Sequence, residues 1–112
     1  MGGGSTPPRA GRDVLEKLRA WGYRLADDHP VVALTVRLVQ EAAADGGRRV
    51  SVHLADTGDD RQAAVMVLSH GGAEAPEEDG VLAELVALGA VSVGTESNRD
   101  DGGRRRWAVV GL

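Results

Sequence analysis

The chain has 112 residues and a mass of 11.7 kDa, room for one domain of ordinary size and not for a second core. Hydrophobic residues make up 42% and charged residues 27%, which argues against wholesale disorder and a membrane-embedded class, and the lack of cysteine rules out disulfide scaffolds, thiol nucleophiles and thiolate metal sites. A 3% aromatic share leaves little for bases to stack on, and a net charge of -4 gives no general field for a polyanion, so nucleic acid is not an expected partner.

No run approaches the ~20 apolar residues of a membrane span, and the start Met1-Gly2-Gly3-Gly4-Ser5 has neither the charged nor the apolar part of a secretory signal. A cytoplasmic protein without membrane contact is expected. Residues 1–10, rich in Gly, Ser, Thr and Pro, are expected as a flexible lead-in, with a single domain over 11–112.

From Arg12, the apolar residues Val14, Leu15, Leu18 and Trp21 recur at helical spacing, and Gly22 ends this first helix. A second helix begins at Pro30, a residue suited to a first helical position, with Asp27 and Asp28 near the positive end of its dipole. Its stripe is Val31, Leu34, Thr35, Leu38, Val39 and Ala42, and Asp45-Gly46-Gly47 stops it. Residues 49–55 alternate with period two, Val50, Val52 and Leu54 towards the core and Ser51 and His53 away from it. After turn residues at 56–60, the denser apolar run 63–68 predicts a central strand forming a hairpin with the first.

Residues 70–75 are expected as a loop, and Pro76-Glu77-Glu78 as the start of a third helix that buries Val81, Leu82, Leu85, Val86 and Leu88 before Gly89. Residues 91–95 and 106–110 predict two closing strands joined by a polar, Gly-containing connection. This order predicts an α+β fold, a two-layer sandwich with a largely antiparallel four-stranded sheet and three helices on one face.

The succession of a long apolar helix, a hairpin, a glycine-containing loop, a short helix and a closing hairpin resembles the GHKL-type, histidine-kinase-like ATPase domain of bacterial anti-sigma-factor serine kinases, over residues 12–112. In that family the long helix carries Glu-Leu-Val-x-Asn-Ala, the Glu activating water or a hydroxyl and the Asn holding the magnesium ion that bridges the phosphates. Here Arg37-Leu38-Val39-Gln40-Glu41-Ala42 stands in the matching place. Arg37 replaces the Glu, and a guanidinium that stays protonated is no general base. Glu41 replaces the Asn and still offers a carboxylate of the kind magnesium accepts.

The family's Asp-x-Gly after the second strand, whose Asp reads adenine, is matched by Ser69-His70-Gly71, where the carboxylate is missing and the glycine is kept. Its Gly-x-Gly-Leu lid, where backbone amides approach phosphate at a helix start, is matched by Asp79-Gly80-Val81-Leu82, and a shifted register would use Gly80. The strand with Arg106-Trp107-Ala108 resembles the family's closing strand. The resemblance thus implies a vestigial nucleotide pocket of Glu41, Ser69, Gly71 and Gly80, no catalytic residue, no metal site and no resident cofactor. The expected function is a non-catalytic regulatory module that binds a protein partner. The alternatives are an ATP- and magnesium-dependent protein-serine kinase of the anti-sigma type, or an accessory domain of a sensor-kinase system.

Other residues have ordinary readings. His29, His53 and His70 lack the spacing of one-face metal ligation, and Ser69 and His70, as neighbours on an extended chain, point to opposite faces. Asp56, Asp59 and Asp60 depart from the calcium-loop pattern. Arg104-Arg105-Arg106 would suit a phosphate or an acidic partner, with Asp100 and Asp101 near enough to neutralise it. Trp21 and Trp107 are expected in or at the edge of the core. Glu74, Glu77, Glu78 and Asp79 form an acidic segment suited to a basic partner, or to the helix start beside it.

Overall fold

A computed structural model of the chain describes residues 7–44, 49–56, 61–70, 79–98 and 103–112. The elements follow the expected order: α1 (Pro7–Ala20), α2 (Pro30–Ala44), β1 (Arg49–Asp56), β2 (Gln62–His70), α3 (Asp79–Ala87), β3 (Ser92–Asn98) and β4 (Gly103–Gly111). The strands form one sheet in the order β1-β2-β4-β3, every pair antiparallel. The fold is α+β, with three helices packed against a four-stranded sheet. No helix among the described residues is long and apolar enough to cross a membrane.

The middle pair of strands, β2 and β4, carries the densest apolar alternation, and α2 lies across both and reaches β1. Val31, Leu34 and Leu38 of α2 are fully buried in one cluster with Ala63, Val65 and Val67 of β2 and Ala108 and Val110 of β4. Thr35 occurs within this stripe at no polar cost, because its hydroxyl donates to the Val31 carbonyl one turn back at 2.8 Å. On one flank α1 packs along α2, and on the other α3 covers β3 and touches α2. His29 caps α2, its Nδ1 accepting the Val31 amide at 3.1 Å.

Several expectations are corrected. The first helix starts at Pro7, inside the stretch expected as lead-in, and Ala10 is buried in the core. Proline favours a first helical turn, and the small Ala10 and Gly11 allow α1 to approach α2 closely: a Cβ at position 11 would stand 2.9 Å from the Val32 carbonyl. Trp21 is 43% exposed, in the turn that follows α1. Val86 of the third helix and Leu88 just beyond it are likewise exposed, since this stretch is apolar on more than one side while only the Val81 and Leu85 side meets the body. Val50 is only partly covered. Gly22 and Gly89, at φ 104° and 115°, end α1 and α3 as expected, in the left-handed region where a side chain is disfavoured.

The helix-free face of the sheet carries Met66, Trp107 and Val109, by alternation from the buried set. Trp107 is half-buried there and lies over Gly94, its direct cross-strand partner. A Cβ at position 94 would fall 2.0 Å from the indole ring, so only glycine leaves room for it. Arg105 stacks over the same ring at 5.7 Å and pairs with Glu96. At the other end of the sheet the Leu112 amide donates to the Arg61 carbonyl at 2.7 Å, and Arg61 stands at φ 54°.

Two outcomes follow for stability. Leu38→Ala, at a fully buried site in the centre of α2, is expected to cost about 2–5 kcal/mol, read as a lowered urea midpoint. Gly94→Ala is expected to destabilise and to change the near-ultraviolet circular dichroism, because the methyl group displaces the Trp107 ring; an unaltered spectrum would mean that the ring is not seated on Gly94.

Candidate functional site

The topology relates some of the motif positions to one another. The C-terminal part of α2 leads into β1, whose first residues pair with the end of β2: Arg49 is opposite His70 and Val50 opposite Ser69. Ser69 is in turn opposite Arg104 at the start of β4. Glu41 and Ser69 therefore stand at one end of the sandwich. Gly80 falls in the first turn of α3, and Gly71 lies outside the described residues, as do Glu74, Glu77 and Glu78.

Each placed residue has a local role. Ser69 is 2% exposed on the helix side of the sheet, and its hydroxyl donates to the Arg104 carbonyl at 3.5 Å, so it offers no open nucleophile. The His70 side chain is outside the described part. Glu41 is largely covered and accepts a hydrogen bond from Arg37 Nη1 at 2.8 Å, one turn away on the same helix. Arg37 Nε in turn donates to Glu84 of α3. One guanidinium thus joins two carboxylates and ties α2 to α3.

Electrostatics follow from that geometry. The Glu84 hydrogen bond is the main cause that raises the Arg37 pKa above its already high ordinary value, with Glu41 adding to it against a smaller opposing effect of burial. The same bond lowers the Glu84 pKa from its ordinary 4.5. Arg37 is therefore a permanent cation, and the Glu41 carboxylate is engaged by it. Both carboxylates that face this junction, Glu41 and Glu84, are paired with Arg37.

The remaining candidates separate. Of the arginine run, Arg106 lies on the helix side opposite Val67 and Thr95 and is 1% exposed. As a buried guanidinium must, it has polar or electrostatic partners. Arg105 points to the other face, to Glu96 and Trp107. The run therefore forms no common phosphate grip, and Asp100 and Asp101 lie outside the described residues. Asp56 accepts the Tyr23 hydroxyl at 2.6 Å, a bond that raises the Tyr23 pKa and pins the α1–α2 connection to the end of β1. Asp59 and Asp60 are outside the described residues. Among those described, no three His, Asp or Glu side chains gather as a metal site.

Sequence reasoning missed two features: the Arg37–Glu84 tie and the burial of Arg106. The i,i+4 spacing of Arg37 and Glu41 is a legible signal of an ion pair, whereas Glu84 is 47 positions from Arg37 and no local pattern links them. No protein-family model and no curated protein sequence matches the chain.

The lowered Glu84 pKa has a definite sign for stability. Its contribution is present above the ordinary value of 4.5 and is lost as pH falls through the lowered folded value. Glu84→Gln is expected to be less stable than the wild type at pH 7 and to converge with it in acid, measured as urea midpoints across pH. A gap that does not change with pH would show that the carboxylate charge contributes nothing.

Proposed function

We propose that the chain is a non-catalytic regulatory module that binds a protein partner in the cytoplasm, built on a GHKL-like ATPase frame from which the nucleotide chemistry has been lost. The observation that carries this reading is Arg37. In the family resembled, nucleotide phosphates lie between the long helix and the start of the helix that follows the lid. Here Arg37 joins Glu41 of α2 to Glu84 of α3 across the two helices.

Three further features support it. Ser69, in place of the adenine-reading Asp, is covered and engaged with the backbone. Asp79 and Val81 stand where lid glycines would let amides approach a phosphate, and Asp79 adds negative charge there. The element order that carries the resemblance is compatible with a binding role, since one fold can host unrelated functions. The acidic residues Glu74, Glu77, Glu78 and Asp79 make a basic or Arg-containing partner the best match in charge.

Calorimetric titration of the whole chain with magnesium-ATP tests this reading. The expected outcome is no binding, or binding weaker than about millimolar, an affinity of about 4 kcal/mol at standard state. Micromolar affinity would overturn the loss of nucleotide binding and favour the protein-serine kinase reading.

A further inference from the structure

At the edge of the sheet away from α3, β1 presents an outer row of backbone donors and acceptors that no other described element pairs. Exposed edges are ordinarily blunted by proline, charged side chains, a bulge or shortness. β1 has no proline, lysine or bulge, and its two charged residues, Arg49 and Asp56, fall at its ends: Arg-Val-Ser-Val-His-Leu-Ala-Asp runs eight residues, and its ladder to β2 is unbroken from Arg49 to Asp56. The opposite edge, β3, is interrupted by Gly94 and carries Glu96 and Asn98.

The helix layer also thins over β1. Val65 and Val67 of β2 are fully buried, but their partners Leu54 and Val52 are half-buried, and Val50 is 37% exposed. Three apolar side chains at successive helix-side positions are thus left partly uncovered beside an edge to which no further described strand is added.

We propose that β1 is a self-association edge, at which a second copy of this chain adds its own β1 antiparallel about a two-fold axis through Val52, joining two four-stranded sheets into one. The pattern of β1 is self-complementary in that register. Residues directly opposite in an antiparallel pair share a face. Centred on Val52, the pairing sets Val50 against Leu54 of the second copy, Val52 against Val52, and Ser51 against His53 on the other face. All three half-covered apolar side chains then meet apolar partners, both helix layers stay on one side, and Arg49 falls opposite Ala55. A register centred on His53 would set Val50 against Asp56, and one centred on Ser51 would leave Leu54 without an apolar partner.

The strand is about 27 Å long, and one strand pair with three side-chain contacts per copy is smaller than the roughly 800 Å² per partner of a standard stable interface. The dimer is therefore reversible, forming over the micromolar to sub-millimolar range. The surface is separate from the α2–α3 junction, so it stands whether or not nucleotide binds.

Sedimentation velocity on the whole chain from about 5 to about 500 μM, a range that brackets such an affinity, is expected to show a monomer giving way to a dimer. Val52→Lys, which sets two ammonium groups together on the axis, is expected to remain monomeric throughout with an unchanged far-ultraviolet spectrum. Should that variant unfold, Val52→Cys decides, because the chain has no other cysteine. Directly opposed positions lie about 4.5–5.5 Å apart between Cα atoms, within reach of a disulfide. Mild oxidation of Val52→Cys is expected to give covalent dimer at least tenfold faster than oxidation of Val86→Cys, at an exposed position on α3. A chain that is monomeric at the highest concentration, a dimer undiminished in folded Val52→Lys, or equal cross-linking rates at positions 52 and 86 would each overturn the proposal.

Discussion

The apolar side of α2 seated on β2 and β4 is the constraint from which the other elements take their places. Val31, Leu34 and Leu38 are fully buried against the two central strands, and no other helix spans both. In a chain with no disulfide and few aromatic residues, this seam of Val, Leu and Ala supplies most of the apolar burial. Its position decides what is covered. The strands under it are dry, β3 is covered by α3, and β1 is left partly uncovered. The small side chains of the seam also let the helix layer lie close to the sheet.

Arg37 is on the same helix, on the side turned towards α3, and this explains how a charged residue is tolerated within an apolar frame. Its alkyl stem can lie along packed surface while the guanidinium reaches two carboxylates. Ion pairs as exposed as the one to Glu84 contribute modestly to stability. Their weight here is geometric, since a forked cation with two partners on different helices restrains the spacing of those helices. Arg106 differs in kind: a guanidinium at 1% exposure is held only where charge or hydrogen-bond partners meet it, which makes the helix side of β4 more polar than its alternation with Ala108 and Val110 suggests.

The frame was largely legible in the sequence. The period-3.6 stripe of α2, the period-two alternation at 49–55 and the terminating glycines at 22 and 89 are local signals, and each appears where expected. What was not legible depends on non-local packing. Whether Val86, Leu88 and Trp21 are covered is decided by which side of a helix or turn meets the body, and in a helix as apolar as α3 the Glu84 side is a thin mark of it. The start of α1 was obscured because its first turn is written in Pro, Arg, Ala and Gly, a composition equally suited to a linker. At the candidate site the identities of Arg37, Glu41 and Ser69 were plain from the motif comparison. Their partners were not, because Glu84 and Arg104 are brought to them only by the fold.

The position of β4 between β2 and β3 bears on how the chain assembles. The β1–β2 and β3–β4 hairpins and the α1–α2 pair are local and can form early, whereas the β2–β4 ladder joins strands distant in sequence. One of the sheet's three ladders, and with it the completed seat of α2, therefore waits on a single late docking event between segments distant in sequence. Such non-local closure slows the search for the native state and concentrates it in one cooperative step. A partially assembled chain would carry α2 with only half of its apolar seat, the condition in which molecular chaperones or intermolecular strand exchange compete most effectively with correct completion.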